Sequence, residues 1–315
     1  MLRPVPFIFF IVAVFTIIIN CSTHLQKTAA ENNTIVDLLM VREIGPDVGS
    51  TRPLASPRDV AVNQLGDVFI ADYGNDRIIK LDSTLELAGE FGGFGAGENS
   101  LSGPASLALD NVSNVYVVDS GNARILRFDK RLNLISAQTG YTNEGVIEFG
   151  RPVSIAVSSQ GDIYVGDDWR GACYKFDPFL NYILDFGTRG SAAEIGYPAA
   201  IHISTLNKIY VADSENGCIR VFDDFGLPLE VIGRGILEKP VGVFIDRNKG
   251  IWISDSQAGA LCRFDGRGKE TFRWTGPADR PLEGPAGLFI TDKNEIYLVD
   301  SITNRLFILK PLIGK

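Results

Sequence analysis

Histidine is nearly absent from this chain, which has only His24 and His202 among its 315 residues. Two imidazoles, one of them in a polar N-terminal stretch, cannot make a zinc site built from several histidines. Cysteine is scarce as well. Beyond Cys21 there are Cys173, Cys218 and Cys262, an odd set without CxxC-type spacing, so they read as buried free thiols acting as small apolar side chains. The chain has no Gly-x-Ser-x-Gly elbow for a serine nucleophile and no phosphate-cradling glycine loop. Positive charge is also in short supply. With 30 Lys and Arg against 38 Asp and Glu, the net charge is −8, which disfavours nucleic acid, whose phosphates need a basic footprint.

An apolar run long enough to cross a bilayer is missing too. The thirteen residues 7-FIFFIVAVFTIII-19 are predominantly apolar, but as a helix they would cover only ~20 Å of a ~30 Å hydrocarbon core. Preceded by Arg3 and followed by Cys21, the run reads as an export signal over residues 1–20. The end of the run, Ile18-Ile19-Asn20-Cys21, resembles the lipobox of bacterial lipoproteins, although Asn20 replaces the usual small residue. That resemblance implies a lipid on Cys21 and attachment to the outer side of a membrane, with a soluble secreted form or an uncleaved short anchor as alternatives. Residues 21–34 are polar and aperiodic and read as a tether. Cleavage before Cys21 removes Arg3 and leaves 29 basic against 38 acidic residues, a charge of −9.

What the chain does have is repetition. Pro57, Pro104, Pro152, Pro198, Pro240 and Pro285 are each followed 15 residues later by an acid: Asp72, Asp119, Asp167, Asp213, Asp255 and Asp300. Ten residues further on comes a second acid in five copies, from Asp82 to Asp265, with Lys310 in the sixth. Successive first acids are 47, 48, 46, 42 and 45 residues apart, so the connections between units vary in length and the units do not. Each unit holds four short candidate strands separated by turn residues, as in 59-DVAV-62, 68-VFIA-71, 77-RIIKL-81 and 86-ELAGEF-91. The middle strands are apolar on both faces, so each sheet must be covered on both sides. Radial packing of six antiparallel meanders does this, giving an all-β, six-bladed propeller over residues 35–315, a single monomeric domain. The last unit has no fourth strand of its own. Residues 36–44, VDLLMVREI, resemble fourth-strand segments elsewhere in the chain, so the N-terminal strand is expected to complete blade six and spare the ring an open edge.

The pattern, with Pro-x-Gly opening a unit and Ala-Asp-Ser-Gly-Asn-x-Arg at its turn, resembles the NHL repeat, and the likeness extends over residues 54–315. The resemblance implies a six-bladed propeller. For function it implies several classes, among them binding modules, RNA binders and a few lyases. The related peptide-amidating lyases hold zinc with several histidines, which this chain lacks.

The repeated Asp reads as a structural turn acid, bonding N–H groups two or three residues ahead and pairing with an Arg five residues on in Asp72–Arg77, Asp119–Arg124 and Asp300–Arg305. Functional residues are sought where one copy breaks the rule. Blade one places the charged Arg58-Asp59 two positions into its first strand, where Gly242 and Gly287 stand in blades five and six. Blade three replaces the Ser-Gly-Asn of 119-DSGNARI-125 with Asp168-Trp169-Arg170. With Tyr73, Arg151 and Tyr197 these make a candidate binding patch on the face bearing the Asp turns, rich in the side chains that dominate interaction hot spots. The opposite face reads as plain Asn, Gly and Lys turns. His202 is expected either to tuck into the core or to face the channel. No cofactor is implied, though channel carbonyls and Asp59 could supply oxygens to calcium. The favoured reading is a non-catalytic extracytoplasmic propeller that binds a protein, peptide or glycan. The alternative is a metal-dependent lyase or lactonase-type enzyme at the channel.

Overall fold

The computed structural model describes residues 34–142 and 146–314. The expected export signal over residues 1–20, Cys21 and nearly all of the expected tether lie outside the described residues. The chain divides into a large unit, Met40–Lys310, and a small one that joins the two termini. Within the small unit the Gly314 N–H donates to the Thr34 carbonyl at 2.9 Å.

The large unit is a six-bladed propeller of four-stranded antiparallel sheets. Blade one comprises Pro57–Val62, Val68–Asp72, Arg77–Leu81 and Leu87–Gly92, paired in that order from the channel outward. Blades two to five repeat the arrangement, opening at Pro104, Pro152, Pro198 and Pro240. The sixth sheet runs Pro285–Ile290, Ile296–Asp300, Arg305–Ile313 and finally Ile35–Ile44. The N-terminal strand therefore supplies the missing fourth strand and closes the ring, one residue longer than expected.

The second strand of every blade is buried along its whole length. The core lies between blades: Phe69 and Ile78 of blade one pack with Val117, Leu126 and Phe128 of blade two, and the same holds between blades three and four. Each such fully buried side chain contributes roughly 1.5–3 kcal/mol. This is why no blade is stable alone and why the ring behaves as one body. Cys173, Cys218 and Cys262 sit in this core as free thiols. Burial pushes all three thiols up, Cys262 to about 12, so they are protonated and inert at neutral pH.

The repeated Asp clamps a different segment from the one expected. In all six blades its carboxylate, fully buried, accepts the N–H of the residue 17 positions earlier: Ala55, Ser102, Gly150, Gly196, Glu238 or Glu283, at 2.7–3.0 Å. It thus ties the incoming connection to the turn. Bonds from N–H groups ahead are secondary and appear in blades three to six. Asp72–Arg77 and Asp119–Arg124 form ion pairs at 2.7 Å. Asp300 does not pair with Arg305. Arg305 turns instead to Glu43 of the closing strand, which also binds Arg280 at 2.6 Å, while Asp213 finds Arg220 at 2.6 Å.

Every blade has a bulge just after its Pro, where two residues oppose one. The bulge re-aims the residue two positions on, the place held by Asp59, Ser106 and Ser154. A further small hairpin, Gly140–Thr142 with Val146–Glu148, rises in the connection before blade three; its short strands carry too little alternation to be read in advance.

Candidate functional site

The Pro and Asp ends of the strands define the upper end of the propeller, and the tight turns between first and second and between third and fourth strands define the lower end. The first strands line the channel, whose upper part encloses a cavity of about 210 Å3. Asp59 projects into it. One carboxylate oxygen accepts from its neighbour Val60 N–H at 2.9 Å; the other accepts from Ser106 Oγ at 2.8 Å and Leu107 N–H at 3.0 Å, both in the next blade. Burial outweighs these bonds and pushes the carboxyl from 3.8 to about 6. On its other side lies Gly287, where a Cβ would collide with the Asp59 carboxylate and backbone. The small residue at this position in blade six is thus required by the acid in blade one.

Arg58 and Asp59, adjacent in sequence, take separate partners. The Arg58 guanidinium lies 4.3 Å above the centre of the Tyr73 ring, a cation–π contact that the bulge makes possible by sending Asp59 inward and Arg58 outward. His202 faces the channel, with its ring 4.2 Å from Phe244, which in turn packs 5.2 Å from Phe289. Burial holds His202 down at about 4, so it is neutral at physiological pH. Ser154 Oγ donates to the Pro198 carbonyl of the next blade at 2.6 Å. The channel's hydroxyls and carboxylate are therefore consumed in joining blades.

The fit to calcium is poor. A hard cation needs free oxygen ligands, and both Asp59 oxygens are already taken by N–H and O–H donors. Among the described residues no group of three or more His, Cys, Asp or Glu side chains is placed to hold a metal.

On the upper face, blade three departs from blades one and two in a compensated way. In blades one and two the turn carries Gly74 and Gly121, and a Cβ on either would meet the carbonyl of Ala55 or Ser102 at 2.8 or 2.7 Å. Blade three puts Trp169 in that position and Gly150 opposite, in the place of Ala55. The Trp169 Cβ fits into the space that Gly150 leaves, so a large side chain stands on the turn without distorting it. Trp169 is 72% exposed. Around it Arg151 pairs with Asp168, and Arg170 donates to the Glu148 carbonyl of the small hairpin at 2.8 Å. Tyr197 stands in the connection before blade four, half-buried, its carbonyl accepting the Ser214 N–H at 3.0 Å. Among the described residues the eight candidates thus fall into an Arg58–Tyr73 stack with Asp59 inside the channel, an Arg151–Asp168–Trp169–Arg170 cluster, and Tyr197 apart. Gly150 and the Glu148 carbonyl belong to the cluster and were not legible as such, because their role depends on the 17-residue clamp.

The lower end is less plain than its turns suggest. A cavity of about 580 Å3 opens there, lined in part by Leu206, Lys208, Glu230 and Arg247, and it shares His202 and Phe244 with the upper cavity. That aromatic contact stands between the two.

The fold is a six-bladed β-propeller, and the sequence model described as NHL repeat matches residues 54–81 and 196–222, which include the first three strands of blades one and four. No curated protein sequence matches the chain. Among solved structures it is similar to virginiamycin B lyase from Staphylococcus aureus, at 13% identity and a TM-score of 0.65 over 88% of this chain and 100% of that one. A streptogramin B lyase structure matches at 12% identity and a TM-score of 0.60, over 81% of this chain and 78% of that one. A protein of unknown function from Bacteroides thetaiotaomicron matches at 10% identity and a TM-score of 0.68, over 87% of this chain and 76% of its own. At such identities the likeness is one of fold.

Proposed function

We propose that this protein is a non-catalytic binding propeller, exported and held to the outer side of a membrane through Cys21, that recognises a protein, peptide or glycan with its upper face. The observation that carries the reading is Trp169, 72% exposed on a turn whose partner position has been cleared to glycine. A large aromatic held on a rigid turn presents contact area at little entropic cost, and the flanking Arg170 adds a planar donor for carboxylate or hydroxyl groups. The Arg58–Tyr73 stack supplies a second aromatic–guanidinium element on the same end.

The channel supports this reading by what its polar groups already do. Asp59, Ser106 and Ser154 bond across blades, and His202 is neutral and stacked on Phe244, so these channel groups are engaged in holding the ring together. The test is affinity capture of partners by the wild-type chain beside Trp169→Ala and Arg170→Ala. Losing a hot-spot aromatic costs about 2 kcal/mol, roughly 30-fold in affinity. Unchanged capture by both folded variants would place recognition elsewhere.

A further inference from the structure

We infer that the upper channel cavity is a binding site for a small neutral aromatic molecule bearing a hydroxyl group, a site independent of the patch around Trp169. Four positions after the opening Pro, blades one to three carry Ala61, Ala108 and Ala156, and blades four to six carry His202, Phe244 and Phe289. All six line the same cavity. Half of the channel at this level is therefore built of methyl groups and the other half of rings. The three rings form one wall, with successive centroids 4.2 and 5.2 Å apart, and the alanines opposite leave the space in front of it unfilled. A dry apolar cavity of roughly 150 Å3 takes up benzene. At about 210 Å3 this one has room for a substituted six-membered ring, lying offset against the wall or edge-on to it.

The polar groups are divided just as unevenly. Three positions after the Pro, the N–H groups of Val60, Leu107 and Ile155 donate to Asp59 or Ser106. Val243 and Leu288 hold the equivalent positions in blades five and six, at the same register to the second strand, but Ala200, Gly242 and Gly287 bring no side-chain acceptor to them. Both residues line the cavity. His202 packs its ring on Phe244 and makes no hydrogen bond among the described residues. A neutral imidazole has one donor and one acceptor nitrogen, and a ligand that pairs with them recovers the free energy lost by taking them out of bulk water. A hydroxyl suits this half of the channel, because its oxygen accepts from an N–H and its proton goes to an imidazole nitrogen. A carboxylate does not, because Asp59 shares the cavity and is ionised above about pH 6, and two like charges there repel.

The way in is from above. Arg58, Ala105, Ala199 and Val241, each one position after its Pro, line the cavity at that end and are exposed or half-buried, while the His202–Phe244 contact stands across the way down.

The test is a fluorine NMR titration of the full chain with 4-fluorophenol, fluorobenzene and 4-fluorobenzoate. 4-Fluorophenol should bind about two- to tenfold more tightly than fluorobenzene, the contribution of one hydrogen bond, and 4-fluorobenzoate should bind most weakly. His202→Phe keeps the aromatic wall and removes the nitrogens, so it should erase most of the preference for the phenol and leave fluorobenzene bound as before. Ala108→Leu puts a branched side chain into the space and should abolish binding of both. Trp169→Ala should bind 4-fluorophenol as the wild type does, which separates this site from the upper-face patch. No binding of 4-fluorophenol, binding that survives Ala108→Leu in a folded chain, or tighter binding of the benzoate would overturn the inference. Should Ala108→Leu fail to fold, His202→Phe decides alone, and an undiminished preference for the phenol would overturn it.

Discussion

Asp59 offers a quantitative test of how the blades are joined. Its carboxyl is held near 6 by burial, against an ordinary value of 3.8. The unfolded chain releases this proton near pH 3.8 and the folded chain near pH 6. Between those values the folded state binds more protons, so stability falls as the pH rises through that window and levels off above it. The contribution lost is about 3 kcal/mol, at roughly 1.4 kcal/mol per pH unit. Asp59→Asn removes the titration. The amide must point its NH2 at either the Val60 or the Leu107 N–H, which adds a constant cost of about 1–3 kcal/mol at every pH. The informative quantity is therefore the change with pH in the difference between the two proteins. Urea unfolding at pH 4, 5, 6 and 7 should show the variant gaining on the wild type by about 2.4 kcal/mol across the series, the rest being lost below pH 4. A difference that stayed constant from pH 4 to 7 would mean that Asp59 titrates as a solvated acid and does not sit in the channel as described.

Other outcomes are equally specific. Deleting residues 31–45 should leave blade six with an open edge and cause aggregation or a large fall in melting temperature, and a truncated chain that melts like the intact one would refute ring closure. Asp72→Asn takes from Arg77, 1% exposed, the buried one of its two carboxylate partners and leaves it Glu90 at 2.9 Å, and should cost about 1.5–3 kcal/mol by chemical denaturation. Trp169→Ala should change folding stability by no more than about 0.5 kcal/mol, since the ring is largely in solvent. Cys21→Ser should move the protein from the membrane to the soluble fraction, and retention would favour an uncleaved anchor.

The propeller was legible because its information is periodic. The constant 15-residue distance from Pro to Asp follows from a first strand, a tight turn and a second strand of fixed length, and the open last unit pointed to the N-terminal segment. What spacing could not show was the choice among partners. Arg305 stands five residues after Asp300 like its counterparts, yet Glu43 arrives from the far end of the chain and captures it. Arg58 and Asp59 are adjacent in sequence, but a bulge turns them to opposite sides, giving one to Tyr73 and the other to Ser106. The exception at Trp169 was visible as a broken repeat. Its exposure became clear only once Gly150 was seen to face it across the clamp.

Recognition through the upper face is tested most directly by hydrogen–deuterium exchange of the wild-type chain with and without a captured partner. Slowed exchange should concentrate in the turn Asp167–Gly171, the preceding connection at 148–151 and the turn after Asp72. Protection confined to the lower turns, such as 204–208 and 246–250, with the upper turns unchanged, would contradict it.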